Sequence, residues 1–409
     1  MLKNYFKIAI AVLRRHKFFT FISLFGISFT LTILLVLTAF IDKVVGDNYP
    51  DKKRDRSLYV SRLSEEGKGT MSSGMVSFYF LDHYVRSLKT PTDIAISSVF
   101  SGTNTYVNDK KIAVNYKYTN AAYWDIMEYD FVEGKAFDKQ AVANAEKVAV
   151  ISEDMKAEYF GDVPSVVGKY IEADNVKYRV IGVVKNVPIT SYMTYSDIYL
   201  PYTVAKDGNF KDKGYRGGYY GILLAASKSD LSKMHNEYEQ MVQKLPMEAK
   251  QYNKIYSHAD PYIASYVDTG NENQSGVVLV LTILSVFVVI FMLLPTLNLV
   301  NINITRIMER SSEIGVRKAF GASSKTLVYQ FIVENIILTL LGGLIGLVLS
   351  FIVIQVINSM NLIANLELSI NFMVLFIGLL VCLVFGLLSG VYPAWRMSKL
   401  NVVTALKAQ

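Results

Sequence analysis

Four long apolar runs, separated by polar segments, dominate the pattern of this chain. Each run reaches the length of about 20 residues that an α-helix needs to cross about 30 Å of hydrocarbon. Charged residues lie almost entirely outside the runs, as a bilayer requires, because a charge at its centre costs roughly 2.5–3.5 kcal/mol. A buried core helix could explain one such run, but four together favour a membrane protein. We therefore predict an α-helical membrane protein with four transmembrane helices, at residues 18–41, 277–299, 328–357 and 372–392.

The first and third runs allow alternatives. A cleaved signal peptide could explain residues 18–41, but the apolar part is too long and no small-x-small cleavage site follows it. Residues 1–17 carry apolar side chains at helical spacing and basic side chains on another face, which predicts a cytoplasmic amphipathic helix at the membrane surface. They would equally fit an extension of the first spanning helix. The third run exceeds the bilayer thickness, so we expect that helix to tilt or to project from the membrane.

The segment between the first two runs, residues 42–276, is rich in tyrosine and mixes helix and strand signals. It predicts a mixed α/β extracytoplasmic domain inserted between transmembrane helices 1 and 2, long enough for one or two lobes. Residues 147–151 indicate a strand, after which Ser152 can cap a short helix that Gly161 ends.

Two further elements are predicted in this domain. Residues 169–173 and 176–184 indicate a β-hairpin that turns at Asp174 and Asn175, which tolerate left-handed backbone. Apolar side chains recurring at helical spacing indicate an amphipathic helix nearer the second run. Its apolar positions are Leu231, Met234, Tyr238, Met241 and Leu245.

Basic residues in the connections predict how the chain is oriented in the membrane. Lysine and arginine cluster in residues 1–17, in the loop 300–327 and in the tail 393–409, whereas the loop 358–371 carries only Glu367 as a charged residue. Both termini and the 300–327 loop are therefore expected in the cytoplasm. The net charge of +7 is partly this signal, so it needs no nucleic-acid partner.

Residues that usually catalyse reactions or bind metals form no recognisable motif. The four histidines are scattered, and no HExxH, cysteine–histidine cluster or GxSxG elbow occurs. Gly67 to Thr70 lacks the leading glycine and the spacing of a GxxxxGK(S/T) phosphate loop. The only cysteine, Cys382, lies within the fourth run, so no internal disulfide can form. We expect no catalytic residue, no metal site and no cofactor bound by this chain.

The most specific motif lies in the predicted cytoplasmic loop, from Glu313 to Ala322. It resembles the coupling segment of the FtsX/MacB-type ABC transporter permeases. The resemblance continues through Gly342–Gly343 and Gly346 in the third run. It ends at residues 392–396, followed by residues 403–406. In the outer segment, residues 123–137, residues 148–161 followed by Gly168, and residues 178–188 resemble the MacB-like periplasmic core domain of that family. The coupling helix implied by this resemblance comprises Glu313, Ile314, Gly315, Arg317, Lys318, Ala319, Phe320, Gly321 and Ala322.

The residues of this motif fit a docking helix in physical terms. Ile314, Ala319 and Phe320 offer apolar contacts, and Glu313 and Arg317 can pair at i and i+4 along a helix. The alternative is a solvated charged turn near the lipid headgroups, which the residues alone would fit equally well. The family resemblance favours docking.

The resemblance also implies partners. MacB carries a fused N-terminal ATPase, whereas this chain begins with its membrane region, so we expect a separate ABC ATPase subunit that binds ATP and magnesium. We expect a homodimer or a heterodimer with a related permease in the cell inner (cytoplasmic) membrane. A periplasmic adaptor and an outer-membrane channel are further candidate partners.

Small residues form stripes on the third and fourth runs. Such stripes let helices approach closely, either within the chain or at a subunit interface, and we favour packing within the chain. They are Gly342, Gly346 and Ser350 in the third run, and Gly378, Cys382, Gly386 and Gly390 in the fourth. Glu334, one or two turns inside the third run, should face protein and pair with Arg306 or Arg317. A proton relay is the alternative for Glu334, but no chain of ionisable groups continues across the bilayer.

These observations predict the permease subunit of a mechanotransmission-type ABC transporter. Its outer domain would move when the partner ATPase hydrolyses ATP, for efflux or envelope export of a lipophilic or peptide substrate. Two other functions stay open. One is a signalling protein that activates an extracytoplasmic cell-wall hydrolase, and the other is a lipoprotein-release permease.

Overall fold

The computed structural model describes residues 10–11, 13–15, 17–107, 110–268, 276–287, 289–290, 324–373, 375–380, 383–384 and 387. The chain divides into two compact units. Unit 1 comprises Met1–Lys43, Thr282–Leu362 and Glu367–Gln409. Unit 2 comprises Val44–Leu281 and Ile363–Leu366.

The described helices and strands are numbered in chain order. The α-helices are α1 (Lys17–Val45), α2 (Ala122–Ile126), α3 (Lys139–Ala143), α4 (Glu153–Phe160), α5 (Leu231–Val242), α6 (Tyr262–Tyr266), α7 (Val277–Phe287) and α8 (Ser324–Met360). The strands are β1 (Ser57–Val60), β2 (Arg62–Gly67), β3 (Thr70–Val76), β4 (Asp93–Ser98), β5 (Ser101–Val107), β6 (Lys110–Thr119), β7 (Phe131–Gly134), β8 (Val148–Ser152), β9 (Tyr170–Ala173), β10 (Val176–Val184), β11 (Ile198–Pro201), β12 (Arg216–Gly217), β13 (Tyr219–Leu224) and β14 (Tyr252–Ser257).

Two helices of the described chain are long and apolar enough to cross a membrane. They are α1 and the part of α8 from Ile332 to Met360, each 29 residues long. Helix α7 is apolar but shorter. Most of residues 288–299 and 381–392 lies outside the described ranges, so the count of four transmembrane helices stays a prediction.

Unit 2 is built on a 14-stranded sheet. Its main path runs β14-β2-β3-β13-β4-β6-β11-β8-β10-β7, and β1, β5, β9 and β12 pair beside this path. The pairs β6–β11 and β8–β10 are parallel, whereas the other pairs are antiparallel. Every residue of β8 is buried, as expected for a strand covered on both faces. The predicted mixed α/β domain is therefore confirmed.

Three local elements that the sequence predicts are present in unit 2: a capped helix, a hairpin and an amphipathic helix. The Ser152 side chain accepts a hydrogen bond from the backbone N–H of Met155 and so caps α4, which ends at Gly161 with φ of 73°. Strands β9 and β10 form the predicted hairpin, with φ of 50° at Asp174 and 56° at Asn175. Helix α5 also forms, and the chain turns away before Leu245, which is buried beyond the helix end.

Candidate functional site

A buried polar network lies just after the end of α1, within unit 2. Arg54 is 7% exposed and Asp51 is fully buried. Arg54 Nε donates to Asp51 Oδ2 at 2.8 Å, and the Tyr59 hydroxyl donates to the same oxygen at 2.6 Å. The Arg54 guanidinium carbon lies 3.7 Å from the centre of the Tyr262 ring. We call these residues, Asp51, Arg54, Tyr59 and Tyr262, the junction.

The junction fixes the end of α1. Arg54 Nη1 donates to the carbonyl oxygen of Val44 at 3.0 Å and to that of Gly46 at 2.7 Å. The last carbonyls of a helix have no partner within the helix and carry partial negative charge. A guanidinium therefore satisfies them with both hydrogen bonds and charge. One side chain thus joins the helix end, the carboxylate of Asp51 and the aromatic ring of α6.

Strand β1 is tied to α6 through the same residues. Tyr59 and Asp260 exchange two backbone hydrogen bonds, of 2.7 and 3.0 Å, just before α6 begins. Burial raises the pKa of Asp51 above its usual value, although Arg54 and the Tyr59 hydroxyl act in the opposite direction. The junction is consequently a set of groups that stabilise one another only when all are present.

Sequence reasoning missed the junction. Its signal was an acid and a base three positions apart, Asp51 and Arg54, directly after an apolar run. In a polar outer segment such a pair is ordinarily exposed to solvent. Only the burial of both side chains distinguishes this one.

The small-residue stripe of α8 lies against α1 inside unit 1. A Cβ atom built on Gly342 would lie 2.7 Å from Ile27 Cγ2, and one on Gly346 would lie 3.0 Å from the Ser28 carbonyl oxygen. The Thr32 hydroxyl donates to the Gly346 carbonyl oxygen at 3.3 Å. Glycine at these positions lets the two backbones approach closely.

Other predicted packing residues fall partly outside the described ranges. The Ser350 hydroxyl donates within α8 to the Gly346 carbonyl oxygen at 2.6 Å. A Cβ on Gly378 would lie 3.2 Å from Leu31 Cδ2, so this glycine also faces α1. Gly386 and Gly390 lie outside the described residues, and their packing role stays a prediction.

Glu334 is 1% exposed on α8, near Asn335 and Thr339, which are also buried. Its predicted partners, Arg306 and Arg317, lie outside the described residues, so that pairing stays a prediction. The same holds for the whole coupling helix from Glu313 to Ala322.

A second buried basic side chain lies in the centre of unit 2. Lys117, on β6, is fully buried, and its Nζ donates to the Met193 carbonyl oxygen at 2.6 Å and to the Tyr220 hydroxyl at 3.2 Å. No carboxylate of the described chain pairs with it. Burial lowers the pKa of Lys117 well below its usual value. Three buried tyrosines, Tyr123, Tyr129 and Tyr199, surround the neighbouring Thr194 carbonyl.

Among the described residues, no group of three or more histidine, cysteine, aspartate or glutamate side chains could hold a metal ion. The junction and the Lys117 site are enclosed by protein, which suits positioning rather than reaction with a substrate.

Two family descriptions match this chain. Residues 20–240 match the MacB-like periplasmic core domain, and residues 285–402 match the FtsX-like permease C-terminal domain. The first match alone covers more than half of the chain. The chain belongs to the MacB/FtsX-type permeases of ABC transporters. Permeases of this family are inner-membrane proteins with transmembrane helices.

Individual relatives agree with this assignment. The chain is 24% identical to the macrolide export ATP-binding/permease protein MacB of Acinetobacter baylyi, over 100% of this chain and 60% of MacB. It is 26% identical to the pyoverdine export ATP-binding/permease protein PvdT of Pseudomonas fluorescens, over 70% of this chain and 41% of PvdT. It therefore spans about half the length of these two relatives. It is 22% identical to the ABC transporter permease YknZ of Bacillus subtilis, over 98% of both chains.

Proposed function

We propose that this permease transmits force from a separate ABC ATPase to its outer domain. The ATPase, which binds ATP and magnesium, would dock on the coupling helix from Glu313 to Ala322 on the cytoplasmic side. Two permease chains, identical or related, would work as a dimer with both termini in the cytoplasm. Movement of the outer domains would export a lipophilic or peptide substrate. MacB and PvdT, whose names describe macrolide and pyoverdine export, are consistent with a substrate of this kind.

The junction is the observation that carries this proposal. A helix that transmits force must be attached to its load, because a frayed end or a flexible connection would absorb the movement. Arg54 holds the Val44 and Gly46 carbonyls at the end of α1, and its other contacts are to Asp51 and Tyr262. Since Tyr262 lies on α6, close before α7 in the chain, the junction joins both chain segments that lead from the membrane runs into unit 2.

The docking step is tested by co-purification of the ATPase with the full-length permease from its native membrane. Arg317→Glu should abolish co-purification because it reverses a charge on the docking helix. Lys399→Ala, which removes a basic residue of the tail, is the matched control and should retain the ATPase. Retention of the ATPase by both Arg317→Glu and Glu313→Arg would show that the docking assignment is wrong.

The transmission step is tested separately in the same complex. Arg54→Lys keeps the charge but cannot reach two carbonyls and a carboxylate in the planar arrangement of a guanidinium. We expect this variant to retain its ATPase and to lose most transport in membrane vesicles. Arg179→Lys makes the same change at an exposed arginine of β10 and should transport normally. Normal transport by Arg54→Lys would contradict transmission through the junction, and co-purification of a cell-wall hydrolase would favour a signalling role.

A further inference from the structure

Several tyrosines of unit 2 lie on the face of the sheet that is opposite to the Lys117 site. Successive side chains of a strand point to opposite faces. Lys117 of β6 and Tyr220 of β13 contact each other on one face. Their neighbours along the two strands therefore point to the other face. These neighbours are Tyr116, Tyr118 and Tyr219.

Strand β4 brings these tyrosines close to one another. Tyr219 is paired with Ser98 between β13 and β4, and the backbone N–H of Tyr118 donates to the Ser98 hydroxyl at 2.9 Å. The rings of Tyr116 and Tyr118 have centres 5.6 Å apart and meet at 77°. They form two walls at an angle rather than one flat surface. All three tyrosines line a pocket of about 190 Å³, which we call the tyrosine pocket.

Two loop tips complete the tyrosine pocket. The turn of the β9–β10 hairpin contributes Asp174, and the turn that follows β11 contributes Lys206 and Asp207. Lys206 Nζ lies 3.1 Å from the Asp174 carboxylate and also donates to the Asp174 carbonyl oxygen, so these two charges offset each other. The Asp207 carboxylate accepts hydrogen bonds from the backbone N–H and the side-chain amide of Asn209. No lysine, arginine or histidine of the described chain forms an ion pair with Asp207.

The charge of Asp207 acts on all three rings of the pocket. Burial is the main cause that raises the pKa of Tyr116, Tyr118 and Tyr219, and the Asp207 carboxylate raises the pKa of each further. A charge that disfavours a second negative charge at this place favours a positive one. Within the described part of the chain, no lysine or arginine lies over any of these three rings. The pocket thus combines aromatic rings with a carboxylate that has no cation beside it.

We propose that the tyrosine pocket binds a small organic cation that carries an alkylammonium group. The negative face of an aromatic ring attracts such a cation within about 6 Å of the ring centre, and a nearby carboxylate adds attraction between opposite charges. The pocket is smaller than the roughly 300–1,000 Å³ of sites for drug-sized ligands, so it admits a small molecule or one small group of a larger molecule. This binding site goes beyond force transmission and does not depend on it.

The test measures the binding of choline to the full-length permease in phosphatidylglycerol nanodiscs by saturation-transfer NMR. Choline carries a trimethylammonium group, and its uncharged carbon analogue has a tert-butyl group of the same shape in that place. We expect choline to bind at least tenfold more tightly than the analogue, because only choline is attracted by the rings and by Asp207. No binding of choline, or equal binding of the two compounds, would overturn the proposal.

Two variants assign the binding to the pocket. Asp207→Asn keeps the shape of the side chain and removes its charge, so it should weaken choline binding at least tenfold and leave binding of the analogue unchanged. Tyr116→Leu removes one ring, keeps an apolar side chain, and should also weaken binding of choline more than that of the analogue. Unchanged choline binding by both variants, at the thermal midpoint of the parent chain, would contradict the proposal.

Asp212→Asn is the matched control for Asp207→Asn. The Asp212 carboxylate accepts from the backbone N–H two residues further on, as that of Asp207 does, but Asp212 does not line the pocket. This variant should bind choline as the parent chain does. An equal loss of choline binding in Asp212→Asn would assign the effect to the general charge of the surface and would overturn the site.

A last arm identifies the source of the ammonium group. Phosphatidylcholine presents the same group as choline, but at a membrane surface. Weaker binding of free choline in phosphatidylcholine nanodiscs would support the site with a lipid headgroup as its ligand. Equal binding in the two lipids would support it with a soluble amine as its ligand.

Discussion

Two regions of unit 2 bury a basic side chain in different ways. At the junction, Arg54 lies beside the fully buried carboxylate of Asp51 and donates to the carbonyls of Val44, in the last turn of α1, and Gly46, just after it. In the tyrosine-rich centre, Lys117 has only a carbonyl and a hydroxyl as partners, and no described carboxylate. The arginine keeps its charge because a guanidinium is always protonated in proteins, whereas the lysine can become neutral by releasing a proton.

The difference between Arg54 and Lys117 shows where a positive charge contributes to the structure. A charged group at the junction holds the polar end of a helix, which a neutral group would hold less firmly. Burial lowers the pKa of Lys117 and so favours its neutral form, which still donates to the Met193 carbonyl. The two regions should therefore respond in opposite directions to the same substitution, methionine in place of the cation.

The largest effect is expected at the junction. Arg54→Met leaves Asp51 buried without its cation and two carbonyls without a donor, which should lower the free energy of unfolding by about 3–5 kcal/mol. Thermal unfolding of the full chain in detergent can be followed by Trp124 fluorescence in a Trp395→Phe background. This background makes Trp124, in the aromatic core of unit 2, the only tryptophan.

The double variant Arg54→Met with Asp51→Leu is the control for this prediction. It removes both charges, so part of the lost stability should return. If Arg54→Met unfolds at the same temperature as the parent chain, the pairing of Arg54 with Asp51 does not stabilise the junction.

An intermediate effect, of opposite sign, is expected at Lys117. Lys117→Met should raise the thermal midpoint at pH 7 because burial disfavours the charged lysine, whereas methionine carries no charge. Between the folded pKa of Lys117, which is lowered, and the unfolded value, only the unfolded state binds that proton. Parent stability therefore rises with pH in this window, by up to about 1.4 kcal/mol per pH unit.

The stabilising difference of Lys117→Met should accordingly shrink as the pH rises from 7 to 10. Unfolding measured across this range, with Lys111→Met on the exposed surface as the matched control, provides the check. A difference that does not change with pH would mean that Lys117 is charged in the folded protein.

The smallest effect is expected at His258, which is only partly buried. His258 pairs with Glu239 at 3.0 Å, and this hydrogen bond raises the pKa of His258. A raised folded pKa gives stability that is present below the unfolded pKa, about 6.5, and is lost as the pH rises through the folded pKa. His258→Gln should thus lower the thermal midpoint by a few degrees at pH 5.5 and leave it unchanged at pH 8.5. An equal loss at both values would assign the effect to packing.

Local signals in the outer segment predicted local structure well. Ser152 and Gly161 mark the two ends of α4, and Asp174 and Asn175 adopt the left-handed backbone of a tight turn. Each of these features depends on interactions within a few residues, so a short stretch of sequence contains the information. The long apolar runs can likewise be identified in the sequence, because the hydrocarbon core of a membrane excludes charged side chains over a fixed thickness.

The candidate sites were predictable only in part. The glycines at 342 and 346 were identified from their spacing, but their contact with Ile27 and Ser28 on α1 involves residues more than three hundred positions away. The coupling helix was identified by resemblance and lies outside the described residues. The junction and Lys117 carried no recognisable motif, because their character comes from burial.

The sequence by itself determined that the chain has long apolar runs, a mixed α/β outer segment, and a motif shared with MacB/FtsX-type permeases. Those properties depend on composition, periodicity and local backbone preference. Only the tertiary structure decided which of the many lysines and arginines are buried, and whether each has a carboxylate beside it. Burial brings together residues distant along the chain and lowers the local dielectric. The Asp51–Arg54 pair thereby becomes part of the junction at the end of α1, and the pKa of Lys117 falls below its usual value.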